Sequence, residues 1–436
     1  MAFATASDQY AAANCRLAKS ERLFYSGRKG AGGIASRRTR GGHPLCCPRI
    51  GIFAGQGASH SWLWFVDLFD RMGFHDLSLL DETAIRDAGL SDLDVLAVSG
   101  GDTFAIAAAL GERGAGKIRA FITDGGLYIG SCAGAYLAMQ SSKPPLNLFN
   151  FAPVRITNLS KHLPACHQMT YKFSTPYGCG HVFHPVREAV CLRLTGRLPF
   201  AGPGYLTAPL YGGPGMLVSD VDQILAYYES FTNKTAFLVD EELARATLIG
   251  KAAAVRTPLG RGCLHLLGPH LEHPHYPRAN RLVADLVCRD TKKPTPQAPI
   301  PRMTAEKLPA SDSRLLVRGL KRELSNSRIV AAGLEMQPVR WQIGAKFYET
   351  EKIRVFLESM WRRVKAIEDR GRLRTAGSPA ELMASATETT GLLRLLKNEL
   401  DENRDTTDIA RRLFALLRGY TALFLRLYFL NVSEIN

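Results

Sequence analysis

Short apolar runs alternate with amphipathic runs between residues 49 and 290, and this alternation predicts an α/β domain. Helical spacing between the apolar runs predicts helices over 62–72 and 103–110. Strands that are apolar throughout are typical of parallel sheets covered by helices on both faces. We therefore expect a doubly wound, mostly parallel sheet, decorated by hairpins and loops across 145–230. The predicted strands are 49–54, 77–80, 95–98, 127–130, 246–255 and 262–267.

Residues 310–436 carry apolar side chains at helical spacing instead, in the segments 341–370, 379–400 and 407–430. Ser378-Pro379-Ala380-Glu381 is a capping box with proline at the first helical position, so a helix is predicted to begin there. These patterns predict a C-terminal all-α helical bundle. We see no chemical constellation in the bundle, so we expect it to pack, to oligomerise or to bind a protein partner.

Two segments of biased composition flank the α/β domain. Residues 1–48 are rich in Arg, Ser and Gly, which predicts a basic, disordered leader, although the same composition suits an organelle transit peptide. Residues 291–309 are rich in proline and predict an extended linker. The expected organisation is therefore leader 1–48, α/β domain 49–290, linker 291–309 and helical bundle 310–436.

Bulk composition narrows the class of protein only slightly. The net charge is +15, but no basic run is interleaved with aromatic residues, so we interpret the charge as solvated surface and do not expect nucleic-acid binding. Nine irregularly spaced cysteines favour a reducing compartment, here the cytoplasm. The run 420–432 is short and contains Arg426, so no membrane span is expected.

A cysteine lies between two glycines where an apolar run meets a helix-compatible run. Gly130-Ser131-Cys132-Ala133-Gly134 has the G-x-nucleophile-x-G form of a nucleophile elbow, a tight turn between strand and helix. Glycine suits such a turn because it leaves no room for Cβ atoms. The N-terminus of the following helix favours a thiolate at Cys132. The alternative is a buried structural cysteine in a packing turn.

A thiol nucleophile needs a base and a group that orients the base. Gly268-Pro269-His270-Leu271-Glu272 follows the last predicted strand. On a loop, the Glu272 carboxylate can fold back onto one nitrogen of His270 while the other nitrogen faces the thiol. The alternative is a surface His–Glu pair in a proline-containing loop.

Backbone amides are expected to hold the oxyanion of an acyl-transfer intermediate. Gly100-Gly101-Asp102 follows the third predicted strand, at the sheet edge where ligands bind in doubly wound folds. The predicted donors are the N–H groups of Gly101 and Ala133. The predicted pocket-lining residues are Gly100, Asp102, Tyr211, Gly212 and Gly213.

These motifs occur in one order along the chain, and together they resemble a known family. They are the turn Ser99-Gly100-Gly101-Asp102, the elbow from Gly125 to Tyr136, the loop Tyr211-Gly212-Gly213-Pro214 and the run Gly268-Pro269-His270-Leu271-Glu272. The resemblance, over residues 49–290, is to the glutamine-amidotransferase-like domain found at the N-terminus of eukaryotic-type biotin–protein ligases and in stand-alone bacterial proteins. That domain belongs to the class I glutamine amidotransferase-like superfamily.

The resemblance implies a flavodoxin-like fold with Cys132 as nucleophile, His270 as base and Glu272 as the residue that orients the base. Such a triad hydrolyses an amide through a thioester and releases ammonia. The chain shows no biotin ligase catalytic domain and no ATP-dependent synthetase pattern that would use the ammonia. The resemblance leaves the substrate open.

Two further motifs are set aside. Gly111-Glu112-Arg113-Gly114-Ala115-Gly116-Lys117 has the spacing of a phosphate-binding loop, but Ile118 replaces the Ser or Thr that binds Mg²⁺, and we interpret the run as a helix-to-strand turn. The cysteines and histidines between 166 and 184 lack the paired spacing of a zinc site. No cofactor or metal is expected.

The sequence therefore predicts a cysteine-dependent amide hydrolase or amidotransferase-like enzyme with a small-molecule or peptide amide as substrate. The alternative is a catalytically silent ligand-binding or regulatory scaffold, with a helical domain that binds a partner or forms a homo-oligomer.

Overall fold

One large β-sheet dominates the chain before residue 270 in the computed structural model, which describes residues 47–166, 181–196, 204–293, 306–344 and 346–432. Within these ranges the strands of the sheet are β1 (Ile50–Phe53), β2 (Leu77–Leu80), β3 (Val95–Val98), β4 (Leu127–Ser131), β5 (Val154–Ile156), β6 (Val186–Leu194), β7 (Tyr205–Leu210), β8 (Met216–Val218), β9 (Ile224–Phe231), β10 (Ala236–Phe237), β11 (Ala252–Leu259) and β12 (Gly262–Leu267).

The strand order makes this a doubly wound sheet with an antiparallel extension. Strands β2, β1, β3, β4 and β12 are parallel neighbours in that order, and β11, β9, β6 and β10 continue the sheet in antiparallel pairing. The remaining strands β5, β7 and β8 pair with the extension. The expected mostly parallel, flavodoxin-like fold is confirmed. Its helices are α1 (Trp62–Arg71), α2 (Thr103–Thr123), α3 (Ala133–Ala138), α4 (Glu241–Leu248) and α5 (Pro277–Thr291).

The register of the parallel strands determines which loops meet. Val98 at the end of β3 pairs with Gly130 of β4, and Leu267 at the end of β12 pairs with Ser131. The loops that follow β3, β4 and β12 therefore leave the same edge of the sheet side by side. Those loops carry the predicted site residues.

The C-terminal helical bundle is confirmed as well. Its helices are α6 (Ala310–Leu334), α7 (Thr350–Glu368), α8 (Pro379–Asp401) and α9 (Thr407–Val432). The Ser378 side chain accepts a hydrogen bond from the Glu381 backbone N–H at 3.4 Å, as the capping box predicts. Two short antiparallel strand pairs accompany the helices: β13 (Glu306–Lys307) with β16 (Arg374–Thr375), which are distant in the chain, and the hairpin of β14 (Arg340–Ile343) with β15 (Lys346–Glu349).

Three sequence-based predictions of elements were wrong. The segment 341–370 is not one helix: it begins as the β14–β15 hairpin, in which buried Trp341 pairs with buried Tyr348. The predicted strand 246–255 begins instead as α4, and only its second half is β11. The helix predicted over 103–110 is confirmed and ends at a kink at Gly111, where φ is 58° and ψ is −167°; a second helical stretch continues to Thr123, so the run 111–117 is mostly helical and not the predicted helix-to-strand turn.

A buried ion-pair network joins the bundle to the α/β part. Arg363 of α7 lies 2.8 Å from Asp67 and 2.9 Å from Asp70, both on α1, and its side chain is buried. The Tyr428 hydroxyl of α9 adds a hydrogen bond to Asp70 at 3.2 Å. Because a buried charge is costly unless it is paired, these contacts hold the bundle in one position on the sheet.

Helix α9 has the length and apolar composition of a membrane-crossing helix, but a core helix passes the same test. In this chain 56% of its apolar window is buried inside the protein. The leader apart from its last two residues, most of the linker, and the stretch 167–180 that includes Cys179 all lie outside the described residues.

Candidate active site

Cys132 occupies a sharp turn between β4 and α3. Its backbone has φ 52° and ψ −106°, a conformation that non-glycine residues rarely adopt and that commonly marks functional sites. The Cys132 N–H donates to the Leu267 carbonyl at 2.9 Å, which ties the turn to the neighbouring strand β12. This local geometry is that of a nucleophile elbow.

Both flanking glycines are required by close backbone approach. A Cβ atom on Gly130 would lie 2.4 Å from the Gly134 carbonyl oxygen. A Cβ atom on Gly134 would lie 2.0 Å from the Val98 carbonyl oxygen of β3. Since both obstacles are backbone atoms, a larger residue at either position requires the main chain to move.

His270 and Glu272 form a buried pair at the same edge of the sheet. His270 Nδ1 lies 2.7 Å from the nearer Glu272 carboxylate oxygen. The same carboxylate accepts hydrogen bonds from the hydroxyls of Ser99 and Ser131, each at 3.0 Å. With Nδ1 directed at Glu272, Nε2 is the imidazole nitrogen left to face the Cys132 thiol.

The loop that carries this pair is held from several sides. The His270 N–H donates to the Pro209 carbonyl at 2.8 Å. The buried Asn280 side chain of α5 donates to the Leu271 and His273 carbonyls at 2.7 and 3.0 Å. These bonds determine the backbone on both sides of Glu272 and therefore the direction of its carboxylate.

The thiol and the imidazole perturb each other. Burial by itself would raise the pKa of the Cys132 thiol, but hydrogen bonding to His270 and the positive charges of His270 and Lys346 lower that pKa below its usual value. Burial by itself would lower the pKa of His270, yet the Glu272 carboxylate and Cys132 raise it to about 10. Both shifts act in the same direction, toward a thiolate beside an imidazolium.

The N–H groups of Ala133 and Gly101, the predicted oxyanion donors, are not used in the backbone pairing around them. Ala133 is the first residue of α3, so its N–H has no acceptor within the helix. Gly101 forms an antiparallel bridge with Ala58 in which the hydrogen bonds come from Ser59 and Asp102, so the N–H of Gly101 is not used in that bridge. Gly101, Cys132 and Ala133 line one cavity.

That cavity has a volume of about 850 Å³, within the range of small-molecule sites. Of the residues predicted to line the pocket, Asp102 and Gly212 are in its wall. The Asp102 side chain caps α2 by accepting from the N–H groups of Phe104 and Ala105, each at 3.1 Å.

The other three predicted lining residues support the site from behind. Gly100 packs on His270, since a Cβ atom there would lie 3.0 Å from the ring. Gly213 approaches the backbone of Gly268, and the Tyr211 ring lies 5.9 Å from that of His270. The Tyr211 carbonyl oxygen is 3.9 Å from the Cys132 sulfur.

Sequence reasoning missed four residues that support the site. Ser99 and Ser131 hold Glu272, Asn280 holds its loop, and the Trp64 ring packs edge-on against His270 with centroids 5.0 Å apart. The two serines had a signal in the sequence, because each lies at the end of a predicted strand beside a motif glycine. Asn280 and Trp64 had none, since their contacts span many residues.

A second cluster of polar side chains lies on β12 and α5. Ligand atoms of Cys263, His265 and Asp290 lie within 4.8 Å of one another. Asp290 is already paired with Arg256 and Arg289, each at 3.1 Å, and with His265 at 2.5 Å. Two guanidinium groups on one carboxylate disfavour a cation, so we interpret the cluster as an ion-pair network.

In its fold, and in a family match over part of the α/β domain, this chain resembles a glutamine-amidotransferase-like scaffold. Residues 75–143 match the family model described as the N-terminal region of biotin–protein ligase, which confirms the expected resemblance. The match includes the Gly100-Gly101-Asp102 turn and the Cys132 elbow. No curated protein sequence matches the chain.

Solved structures show distant similarity. A protein from Thermoplasma acidophilum described as a GMP synthase component is 13% identical, with 56% of this chain and 95% of that chain covered and a TM-score of 0.35. A ThuA-like protein from Bacteroides uniformis is 13% identical, with 57% and 95% covered and a TM-score of 0.30. A β-galactosidase from Bacillus circulans is 11% identical over 60% of this chain and 33% of its own, with a TM-score of 0.33.

Proposed function

We propose that this protein is a cysteine-dependent amide hydrolase that acts through Cys132, His270 and Glu272. The observation that carries the proposal is the strained backbone of the buried Cys132, together with interactions that lower its thiol pKa and come mainly from a histidine bonded to Glu272. A purely structural cysteine needs neither the strain nor the buried pair, both of which are costly.

In the first half of the reaction the Cys132 thiolate attacks the amide carbonyl. A sulfur–carbon bond forms and the carbonyl π electrons move to oxygen, where the N–H groups of Gly101 and Ala133 stabilise the negative charge. When the tetrahedral intermediate collapses, the carbon–nitrogen bond breaks. His270 imidazolium gives its proton to the leaving amine, and a thioester remains on Cys132.

In the second half neutral His270 accepts a proton from water as the water attacks the thioester. The carbon–sulfur bond breaks, the carboxylic acid leaves and the thiolate–imidazolium pair is restored. Glu272 stays ionised and keeps the imidazole oriented, while Ser99 and Ser131 hold Glu272.

The direct test is ammonia release from a panel of primary amides, including free glutamine and glutamine-containing peptides. We expect turnover by the unaltered chain and none by Cys132→Ala. Cys263→Ala is the matched control, because Cys263 is also a buried strand-region cysteine but its pKa is raised, to about 12, and it does not line the cavity. Turnover that survives Cys132→Ala contradicts the proposal.

Trapping adds a test that does not need the right amide. Cys132 is expected to react with iodoacetamide at pH 7 faster than the five other cysteines in the described residues, as measured by mass spectrometry of the peptides. If Cys132 reacts no faster than they do and no amide is hydrolysed, the alternative of a catalytically silent ligand-binding scaffold is favoured.

A further inference from the structure

We propose that the cavity beside Cys132 binds an anionic group of the acyl substrate, and that the C-terminal hairpin β14–β15 contributes to this binding through Lys346. This proposal rests on the proposed function, because the bound anion is part of a substrate only if the protein hydrolyses amides. The anion site itself can be tested without any turnover.

The cavity wall carries a marked excess of positive charge. Lys143, Arg155, Lys161 and Lys346 all line it, together with three histidines. Among the residues that the structure describes, none of these four cations forms an ion pair. The carboxylate in the wall, Asp102, is occupied in capping α2. The cavity therefore presents unpaired cations to whatever enters it.

Cations near the cavity but outside its wall are paired, in contrast to those in the wall. Nearby Lys352 approaches Glu349 at 3.7 Å, and buried Arg363 pairs with two aspartates. The sequence shows the same asymmetry, because no Asp or Glu occurs from 125 to 187, the stretch that supplies most of the cavity wall. A stretch poor in acidic residues around a cleft is the pattern expected of an anion-binding site.

Lys346 connects the bundle to the reaction centre. It is half-buried, whereas the other three cations are exposed, and its charge is one of those that lower the Cys132 pKa. The hairpin turn approaches the α/β part closely: a Cβ atom on Gly344 would lie 2.8 Å from the Asp102 carboxylate. The C-terminal region thus supplies a cation to the wall of the cavity that holds the nucleophile, a contribution that the sequence pattern does not predict.

The chemistry that fits is an amide whose acyl part carries carboxylate or phosphate groups. Lysine and arginine bind both kinds of anion. Four cations exceed what the single carboxylate of glutamine requires, and a volume of about 850 Å³ exceeds what its side chain fills. We therefore expect a substrate larger and more negatively charged than free glutamine.

The test compares alkylation of Cys132 by iodoacetate and by iodoacetamide, two reagents of similar size that differ by one negative charge. Site-resolved rate constants come from mass spectrometry of the Cys132 peptide in the full chain. Their ratio cancels the thiolate fraction, which affects both reagents equally. Relative to the same ratio for N-acetylcysteine, we expect a several-fold preference for iodoacetate that declines as salt is added.

Variants assign the preference to the cavity. Lys346→Gln is expected to lower the ratio by about two- to fivefold, the range for one partly exposed cation, whereas Lys346→Arg retains it. Lys161→Gln removes a second cation from the wall and is expected to lower the ratio as well. Lys365→Gln removes an exposed cation of α7 that does not line the cavity and is expected to leave the ratio unchanged.

Protection experiments distinguish the two sources of the anion. If inorganic phosphate slows alkylation of Cys132 by iodoacetate at a lower concentration than citrate, the site recognises a phosphate group. If citrate acts at the lower concentration, the site recognises carboxylates. A ratio equal to that of N-acetylcysteine and insensitive to Lys346→Gln overturns the anion site even if amides are hydrolysed. An elevated ratio without amide hydrolysis overturns the proposed function and leaves the anion site standing.

Discussion

Substitution of Glu272 by glutamine is expected to raise the pH at which Cys132 becomes reactive. The Glu272 carboxylate bonds His270 at 2.7 Å and two serine hydroxyls at 3.0 Å, and it is completely buried. Glutamine keeps the shape of the side chain but removes the charge. The carboxylate accepts hydrogen bonds from His270, Ser99 and Ser131. The amide NH2 of glutamine is a donor, so it faces one of these three donors without an acceptor.

The magnitude follows from the charge that is lost. A hydrogen bond to a charged group contributes about 1.5–3 kcal/mol, and one pKa unit corresponds to about 1.4 kcal/mol. The His270 pKa is therefore expected to fall by about 1–2 units. The interactions with His270 lower the Cys132 pKa, whereas Glu272 opposes them with a smaller electrostatic effect. Glu272 also orients the imidazole, so its loss weakens the interactions of His270 with the thiol; this effect outweighs relief from the carboxylate, and the Cys132 pKa is expected to rise.

The assay is the rate of Cys132 alkylation by iodoacetamide from pH 5 to 10. We expect the midpoint of the pH profile to move upward by about one unit in Glu272→Gln. Asp290→Asn is the matched control: it removes a carboxylate from the other buried His–carboxylate pair, at His265, away from the thiol. A profile that is identical in the unaltered chain and in Glu272→Gln would refute the coupling.

Two further predictions concern stability. Gly134→Ala is expected to destabilise the fold by about 1–3 kcal/mol, because its Cβ would lie 2.0 Å from the Val98 carbonyl oxygen. The control Gly391→Ala lies in an open stretch of α8 and is expected to stabilise the fold slightly. Urea denaturation measures both free energies of unfolding, and equal effects contradict the elbow packing. Burial lowers the pKa of His273 from 6.5 to about 3. The stability that depends on a neutral, buried His273 is therefore present above pH 6.5 and is lost as the pH falls toward 3. The urea midpoint should decline less between pH 7 and 4 in His273→Gln than in the unaltered chain.

Elements encoded by short-range patterns could be predicted from the sequence. The boundaries of β2, β3 and β12 coincide with their apolar runs, and the helix after Ser378 begins where its capping box indicates. The β14–β15 hairpin was missed because its determinants are cross-strand. Trp341 and Tyr348 pair across a turn, and Trp341 Nε1 donates to Thr406, just before α9, a partner that no local pattern reveals.

The net charge of the whole chain did not reveal the local charge of the cavity wall. The net charge of +15 was interpreted as solvated surface because basic residues are spread along the whole chain. The informative feature is where acidic residues are missing, between 125 and 187. That gap is visible in the sequence, but its meaning depends on the fold, which brings Lys346 from the C-terminal region into the same wall.

The sequence by itself determined the turn at Cys132 and the proximity of His270 to Glu272. Each depends on residues only a few positions apart, and glycine or proline restricts the backbone there. Only the tertiary structure decided what surrounds them: the strand register that brings Ser99 and Ser131 to Glu272, and the hairpin that brings Lys346 to the thiol. Such contacts are long-range, because they depend on how parallel strands align and how the bundle packs against α1, and no local spacing specifies either.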